Sequence, residues 1–327
     1  MKNIEHITYF DFLRGVAILM VIGIHTYVAG DFNTIDGSVR IIIRQLLNCA
    51  VPIFLALSAF FLSRKKLDTK NSIMIFWKKQ IPKVYRPCFI WSIPWFVLSA
   101  LGGFNKYQIV NLLICGYSIY YFIALIIQYY LLLPIFLKYT KFMLFCSGIV
   151  SAISIMLITY LSSVKGLQLP LILYAGPFTT WFIFYMLGVY ISKYEKKYSI
   201  IVAMCIIIVG FILECLETYY LNTNYVGGVG IKLSSYIYSC GVILLVLSPK
   251  VQTLYKDNLF TATISYIGRI SFGLYLIHCY VIQLLFVVFP TSSWRLSFCI
   301  VTFVTILIVM LSRKVLPQYL NKYLGFV

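Results

Sequence analysis

Arg14 and His25 are the first residues whose types and spacing suit chemistry, and they lie in the apolar segment YFDFLRGVAILMVIGIHTY. They are eleven residues apart, so on an α-helix they fall within about 20° of the same face and about 16 Å apart along the axis. Asp11 precedes Arg14 by one helical turn, where it can neutralise the guanidinium. A charge inside an apolar span costs about 2.5–3.5 kcal/mol, so several of them in one span indicate a function.

A neutral histidine accepts a proton from an attacking hydroxyl, and a guanidinium binds phosphates or carbonyl oxygens. The pair therefore suits proton transfer beside a bound anionic or carbonyl group. Each residue alone also has a structural interpretation, in which Arg14 extends to the lipid headgroups and His25 hydrogen-bonds a neighbouring helix. Their shared face favours the functional interpretation for both.

The segment DFLRGVAILMVIGIH, with its Arg-x10-His spacing, resembles the opening helix of the membrane-bound acyltransferase-3 family. The resemblance implies a bacterial, multi-pass plasma-membrane enzyme that takes an acetyl group from cytoplasmic acetyl-CoA. The acceptor would be a hydroxyl of an extracytoplasmic or lipid-linked surface glycan. It also implies that Arg14 and His25 are catalytic, that acetyl-CoA is a substrate rather than a bound cofactor, and that no metal takes part.

Two further segments resemble the same family in its middle spans. VPIFLALSAFFLSRKK is similar to the pattern PxFFxxSGF and contains Ser58, followed by Ala59 where glycine is usual. YYFIALIIQYYLLLPIF is similar to a pattern that begins His-Leu-Trp, which is replaced here by three aromatic residues beginning at Tyr120. Tyr121 and Gln128 are candidates for an acceptor site, and aromatic packing at the interface is the alternative.

The segment ISYIGRISFGLYLIHCYV resembles the family pattern SYxLYLxH, supplied here by Ser271, Tyr275 and His278. Their spacing places the three side chains on one helix face. His278 is expected at a depth similar to that of His25, where it either shares in the chemistry or orients a helix.

Several charged residues are candidates for neighbouring roles. Arg44, in a polar ridge with Arg40 and Asn48, either faces the same cavity as His25 or forms a structural pair. Glu214 and Glu217 are predicted to be interfacial, with the alternative that one of them pairs with an outer arginine. The candidate contacts for CoA phosphates are the basic residues before the third span, Lys78, Lys79, Lys83 and Arg86.

Composition agrees with a membrane protein. Hydrophobic residues make up 61% of the 327 and charged residues 11%, against about 45–50% and about 25% in ordinary globular domains. The net charge of +18 comes from Lys and Arg clustered between apolar spans, which indicates topology rather than nucleic-acid binding. The nine Cys contain no CxxC pair and are expected to be small buried hydrophobes.

Apolar windows predict an all-α, polytopic integral membrane protein with about ten spans. The spans cover 8–28, 39–62, 84–101, 119–137, 142–161, 171–191, 200–216, 231–247, 261–288 and 297–311, with a short interfacial helix at 107–115. The basic loop 63–86 places the N-terminus in the cytoplasm, and the even span count places the C-terminus there too. Within that loop, IMIFWKKQIPKVYRP is a candidate to lie along membrane lipids.

The pattern predicts one transmembrane domain over residues 1–327 with no separate soluble domain. Such an enzyme either suffices alone or works with an extracytoplasmic partner in trans. Direct transfer and a covalent acyl-histidine relay both remain open, as do the acceptor glycan and the oligomeric state. The rivals are a transporter or flippase for an anionic glycan or lipid intermediate, and the membrane acyltransferases that modify lipids or proteins. A transporter would be expected to show paired halves with interrupted helices, and no internal repeat is visible in the sequence.

Overall fold

The computed structural model describes residues 8–194, 198–225 and 230–326, and every regular element in those ranges is helical. The α-helices are α1 (Thr8–His25), α2 (Ile35–Leu46), α3 (Ala50–Leu62), α4 (Lys70–Leu101), α5 (Lys106–Leu113), α6 (Tyr121–Lys138), α7 (Thr140–Thr159), α8 (Leu171–Tyr174), α9 (Phe178–Tyr194), α10 (Ile200–Asn224), α11 (Leu233–Val246), α12 (Pro249–Leu254), α13 (Leu259–Arg269), α14 (Ser271–Val288), α15 (Trp294–Val315) and α16 (Gln318–Leu324). Short 3₁₀ turns precede α3 and α6, and a π-helical turn follows α7.

Within the described ranges, 8 helical segments are long and apolar enough to cross a membrane. They are α1, the joined α2 and α3, α4, α6, α7, α10, α14 and α15. The helices α9 and α11 are shorter, with 17 and 14 residues. The all-α, polytopic class is therefore confirmed, whereas the count of ten spans and the cytoplasmic termini stay predictions.

The basic segment before the third span is helical rather than a loop. The helix α4 begins at Lys70, where Thr69 and Ser72 form a reciprocal capping box. It continues for 32 residues through three prolines. The placement of IMIFWKKQIPKVYRP in a loop is therefore wrong, because this segment is the first half of α4. Its lysines and prolines resemble a loop in composition, but the cap starts the helix upstream of them.

Three predicted spans are each divided into two helices. A 3₁₀ turn, Leu47–Cys49, separates α2 from α3. Gly176 and Pro177 separate α8 from α9, since a residue before proline is disfavoured in the helical conformation. Ile270 separates α13 from α14. These breaks set the directions of the helices that carry polar side chains.

Burial separates the long helices into two groups. In α1, α2–α3, α6 and α14, 56–61% of the apolar window is buried inside the protein, whereas the share in α4, α7, α10 and α15 is 17–22%. Exposed apolar side chains such as Ile201 and Leu307 cover the second group. The first group therefore forms the interior, and the second presents its apolar surface to lipid.

Two glycines bring α1 and α13 into backbone contact. A Cβ on Gly15 would lie 2.0 Å from the carbonyl oxygen of Ile264, and one on Gly268 would lie 1.8 Å from that of Asp11. Only glycine fits at such a crossing. Arg14 and Arg269 each adjoin one of these glycines in sequence, so the crossing brings both arginines to one end of α1.

Candidate active site

A cavity of about 290 Å³ lies among the interior helices, and both Arg14 and His25 line it. The other lining residues belong to α1, α3, α4, α6, α14 and the turn before α6: Val21, Val51, Phe54, Leu57, Ser58, Val84, Ile119, Tyr121, Phe122, Ile123, Ile126, Tyr130, Ser271, Phe272 and Tyr275. The wall is thus mainly apolar, with a few polar groups facing one space. This is the usual composition of a small-molecule site.

Arg14 is held at its end of the cavity by two contacts. Its Nη1 donates to Asp11 Oδ1 at 2.9 Å, and its guanidinium lies 5.2 Å from the centre of the Phe61 ring. The Asp11 side chain is 2% exposed and the Arg14 side chain 32% exposed. The buried carboxylate therefore orients a cation that still reaches the cavity.

His25 is the last residue of α1, and its ring centre lies 5.5 Å from that of His278 on α14. His278 Nδ1 lies 3.0 Å from the carbonyl oxygen of Leu274. A carbonyl only accepts, so Nδ1 carries the proton, and in the neutral ring Nε2 is an acceptor. This Nε2 is buried without a hydrogen-bond partner among the described residues. His278 itself lies beside the cavity rather than in its wall.

Two tyrosines fix α14 against the turn before α6. Tyr275 donates to the carbonyl of Ile119, and Tyr120 donates to the carbonyl of Leu276, both at 2.6 Å. The Tyr275 ring lines the cavity, but its hydroxyl is used in this contact. These reciprocal bonds hold the helix face that places Ser271 and His278.

The other candidates from the middle spans divide into two groups. Ser58 and Tyr121 line the cavity. Gln128 does not line this cavity, and its amide instead contacts the start of α9. Its Nε2 donates to the carbonyl of Gly176 at 2.8 Å, and its Oε1 accepts from the backbone N–H of Phe178 at 3.1 Å. The structure thus gives Gln128 a positioning contact outside the cavity.

The four candidate phosphate contacts on α4 are exposed, and none of them lines the cavity, although their neighbour Val84 does. Lys83 lies close enough to Lys65, Lys79 and Lys322 to interact with them electrostatically. This basic surface belongs to the outside of α4.

Arg44 belongs to a buried polar network rather than to the cavity wall. It donates to Asn48 Oδ1, and Asn48 Nδ2 donates to Glu214 Oε1 at 2.6 Å. The same oxygen lies 3.5 Å from Lys232 Nζ and 2.8 Å from Ser235 Oγ. Arg44 is also close enough to His25 to interact with it electrostatically.

The prediction that Glu214 is interfacial is wrong, since its residue is 0% exposed. Its partners come from the turn between α2 and α3, from α11 and from the residue before α11, so they become neighbours only in the folded chain. Glu217, one turn later, is half-buried and accepts from the backbone N–H of Ser234 at 2.9 Å. A buried carboxylate requires such pairing.

A second, more open cavity of about 460 Å³ adjoins the first. Its lining residues are Asp11, Arg14, Tyr266, Gly268, Arg269, Ser271, Phe272 and Arg313. Arg14, Ser271 and Phe272 are shared by both cavities. Sequence reasoning missed Arg269 and Arg313 as site residues. No local pattern marks either arginine, because both join the site only through the contacts of α13 and α15 with the rest of the fold.

Within the described ranges, no three side chains of His, Cys, Asp or Glu come together as metal ligands. A family model described as an acyltransferase domain, Acyl_transf_3, matches residues 7–314. The matched stretch contains every residue of both cavities. No curated protein and no solved structure matches the chain.

Proposed function

Because the chain belongs to the acyltransferase-3 family, we propose that it transfers an acetyl group from cytoplasmic acetyl-CoA to a sugar hydroxyl of an extracytoplasmic or lipid-linked surface polysaccharide. The family and the apolar helices make it a membrane acyltransferase. The donor, the glycan acceptor, a possible partner in trans and a bacterial plasma-membrane location belong to the proposal. The supporting observation is that His25 and Arg14 line one cavity.

The two residues act on different parts of the donor. They are about 16 Å apart along α1, so one small group cannot touch both. Arg14 holds the polar part of acetyl-CoA, and its extended pantetheine arm carries the thioester towards His25. The apolar wall between them excludes water, which would otherwise compete with the sugar as acceptor.

In direct transfer His25 is the general base. The imidazole takes the proton of the sugar hydroxyl while the hydroxyl oxygen bonds to the thioester carbonyl carbon. The carbon–sulfur bond then breaks, the acetyl group stays on the sugar oxygen, and the CoA thiolate takes the proton from the imidazolium. In the relay alternative the imidazole nitrogen bonds to the carbonyl carbon, the carbon–sulfur bond breaks, and CoA leaves as the thiol with the proton of the imidazole. The sugar oxygen then bonds to the same carbon, the carbon–nitrogen bond breaks, and the imidazole takes back the hydroxyl proton.

The test compares the wild type with His25→Gln and Arg14→Gln in nanodiscs, using acetyl-CoA labelled in the acetyl group. We expect His25→Gln to bind the donor but to lose thiol release by about 10²–10⁴-fold in the presence of mono- and disaccharide acceptors. Arg14→Gln is expected to weaken donor binding. Thr26→Val is the control, because Thr26 donates to the carbonyl of Ile22 in its own helix and does not line the cavity.

The outcomes separate the alternatives. Label that stays on the protein after denaturation in the wild type and is lost in His25→Gln identifies the relay. Full thiol release by His25→Gln contradicts its role as base or nucleophile. A folded wild type that binds no acetyl-CoA overturns the donor assignment and favours a transporter or flippase for an anionic glycan or lipid intermediate.

A further inference from the structure

The second cavity contains three arginines from three different helices: Arg14 on α1, Arg269 on α13 and Arg313 on α15. We propose that this cavity binds the diphosphate of the acyl donor, with Arg269 and Arg313 as its anion contacts. The inference rests on the proposed function and specifies where that donor's charged end is held.

The balance of charge in the cavity is positive. Asp11 is its one carboxylate, and that carboxylate pairs with Arg14. In the part of the chain that the structure describes, no carboxylate lies within ion-pair distance of Arg269 or Arg313. Two arginine charges therefore remain uncompensated at a concave site.

The geometry of the arginines suits a diphosphate. A guanidinium presents paired N–H donors that match phosphate oxygens, and two of them on separate helices can bind two phosphate groups. The Arg269 guanidinium lies 5.5 Å from the centre of the Tyr266 ring, which limits its freedom before a ligand arrives. Less ordering is then needed on binding.

The position of this cavity links the anion to the chemistry. Its wall shares Arg14, Ser271 and Phe272 with the cavity that His25 lines. A diphosphate bound by Arg269 and Arg313 would let the attached organic arm pass Arg14 into the apolar space. The exposed basic residues of α4 line neither cavity, so they do not offer this continuity.

A lipid headgroup carries the same phosphate chemistry. Arg269 and Arg313 are exposed and lie at the ends of helices, where arginines commonly meet headgroups. The shared wall favours the donor, because a lipid needs no connection to His25. The experiment must therefore separate these two sources of phosphate.

The test uses the full chain in nanodiscs, either of phosphatidylcholine alone or with phosphatidylglycerol. The double variant Arg269→Gln/Arg313→Gln is compared with Lys256→Gln/Lys314→Gln, which removes the same charge from exposed residues outside both cavities. The affinities for coenzyme A and for pantetheine, which lacks the diphosphate, are measured by calorimetry. We expect the arginine variant to bind coenzyme A about 10- to 100-fold more weakly than the control in both membranes. Its affinity for pantetheine is expected to stay within about twofold, since only charged contacts are removed.

Equal weakening of coenzyme A binding in both double variants would reduce the effect to net charge and overturn the inference. If the arginine variant kept its affinity for coenzyme A but no longer retained bound phosphatidylglycerol, the two arginines would be assigned to lipid binding instead. In either case normal thiol release leaves the proposed function standing. Conversely, the arginine variant could bind coenzyme A more weakly while the wild type releases no thiol with any sugar. That result would support the diphosphate site and contradict the proposed reaction.

Discussion

Replacing Gly268 with alanine tests the crossing of α1 and α13. This crossing assembles the second cavity, which is lined by Arg14, Arg269 and Arg313 and is called the arginine cavity below. The new Cβ would lie 1.8 Å from the carbonyl oxygen and 2.7 Å from the carbonyl carbon of Asp11, and 2.8 Å from the backbone nitrogen of Gly15. All three contacts are with backbone atoms, so no side chain can rotate away. To reach an ordinary contact, α13 must move from α1 by about 1.5 Å, and overpacking of this kind costs about 1–3 kcal/mol.

The movement also separates Arg269 on α13 from Arg14 on α1, since each of them adjoins a glycine of the crossing. We therefore expect Gly268→Ala to lower the thermal stability of the detergent-solubilised protein and to weaken coenzyme A binding together. Thermal stability is measured by the loss of the monodisperse size-exclusion peak after heating.

Gly148→Ala is the matched control, because a Cβ at Gly148 in α7 meets nothing within 4 Å. Alanine in an open helical position is expected to leave stability unchanged or raise it by about 0.5–1 kcal/mol. If Gly268→Ala were as stable as Gly148→Ala and bound coenzyme A normally, the close crossing of α1 and α13 would be refuted.

Two further substitutions test contacts outside the His25 cavity and the arginine cavity. Glu214→Gln leaves Lys232, which is 1% exposed, without its ion-pair partner and is expected to destabilise the protein by about 3–5 kcal/mol. Glu217→Gln should cost much less in the same heating assay, because Glu217 is half-buried and accepts from the backbone of Ser234. Gln128→Leu removes two hydrogen bonds to the break before α9 and should cost about 1–3 kcal/mol while leaving coenzyme A affinity unchanged. Gln318→Leu, at an exposed position, is its control, and a cavity role for Gln128 would show instead as weaker binding at normal stability.

The helical class and the shared face of Arg14 and His25 could be predicted because both depend on local pattern. Apolar length predicts a span, and the spacing of Arg14 and His25 predicts one face, without knowledge of any neighbour. The pairing of Arg14 with Asp11 is equally local, being one helical turn. Such features follow from helical geometry alone.

The features that were missed depend on contacts between distant segments. Gly15 and Gly268 are ordinary glycines in sequence, and only the crossing of α1 with α13 shows why each is needed. Glu214 is surrounded by partners from distant helices, so sequence placed it at the interface although it is buried. Arg313 lies 299 positions from Arg14 in sequence, and nothing in its own neighbourhood points to that residue.

The arrangement divides the site between rigid and adjustable parts. The distance between Arg14 and His25 is set by the rise of α1 itself, so packing changes elsewhere alter it little. In the arginine cavity α13 forms part of the wall, and α14 contributes Ser271 and Phe272 to both cavities. These two helices meet at Ile270, between Gly268 at the crossing and Ser271. A movement of α13 therefore changes the arginine cavity directly and reaches the His25 cavity through α14. For that reason substitutions at the crossing should affect donor binding before they affect the chemistry at His25.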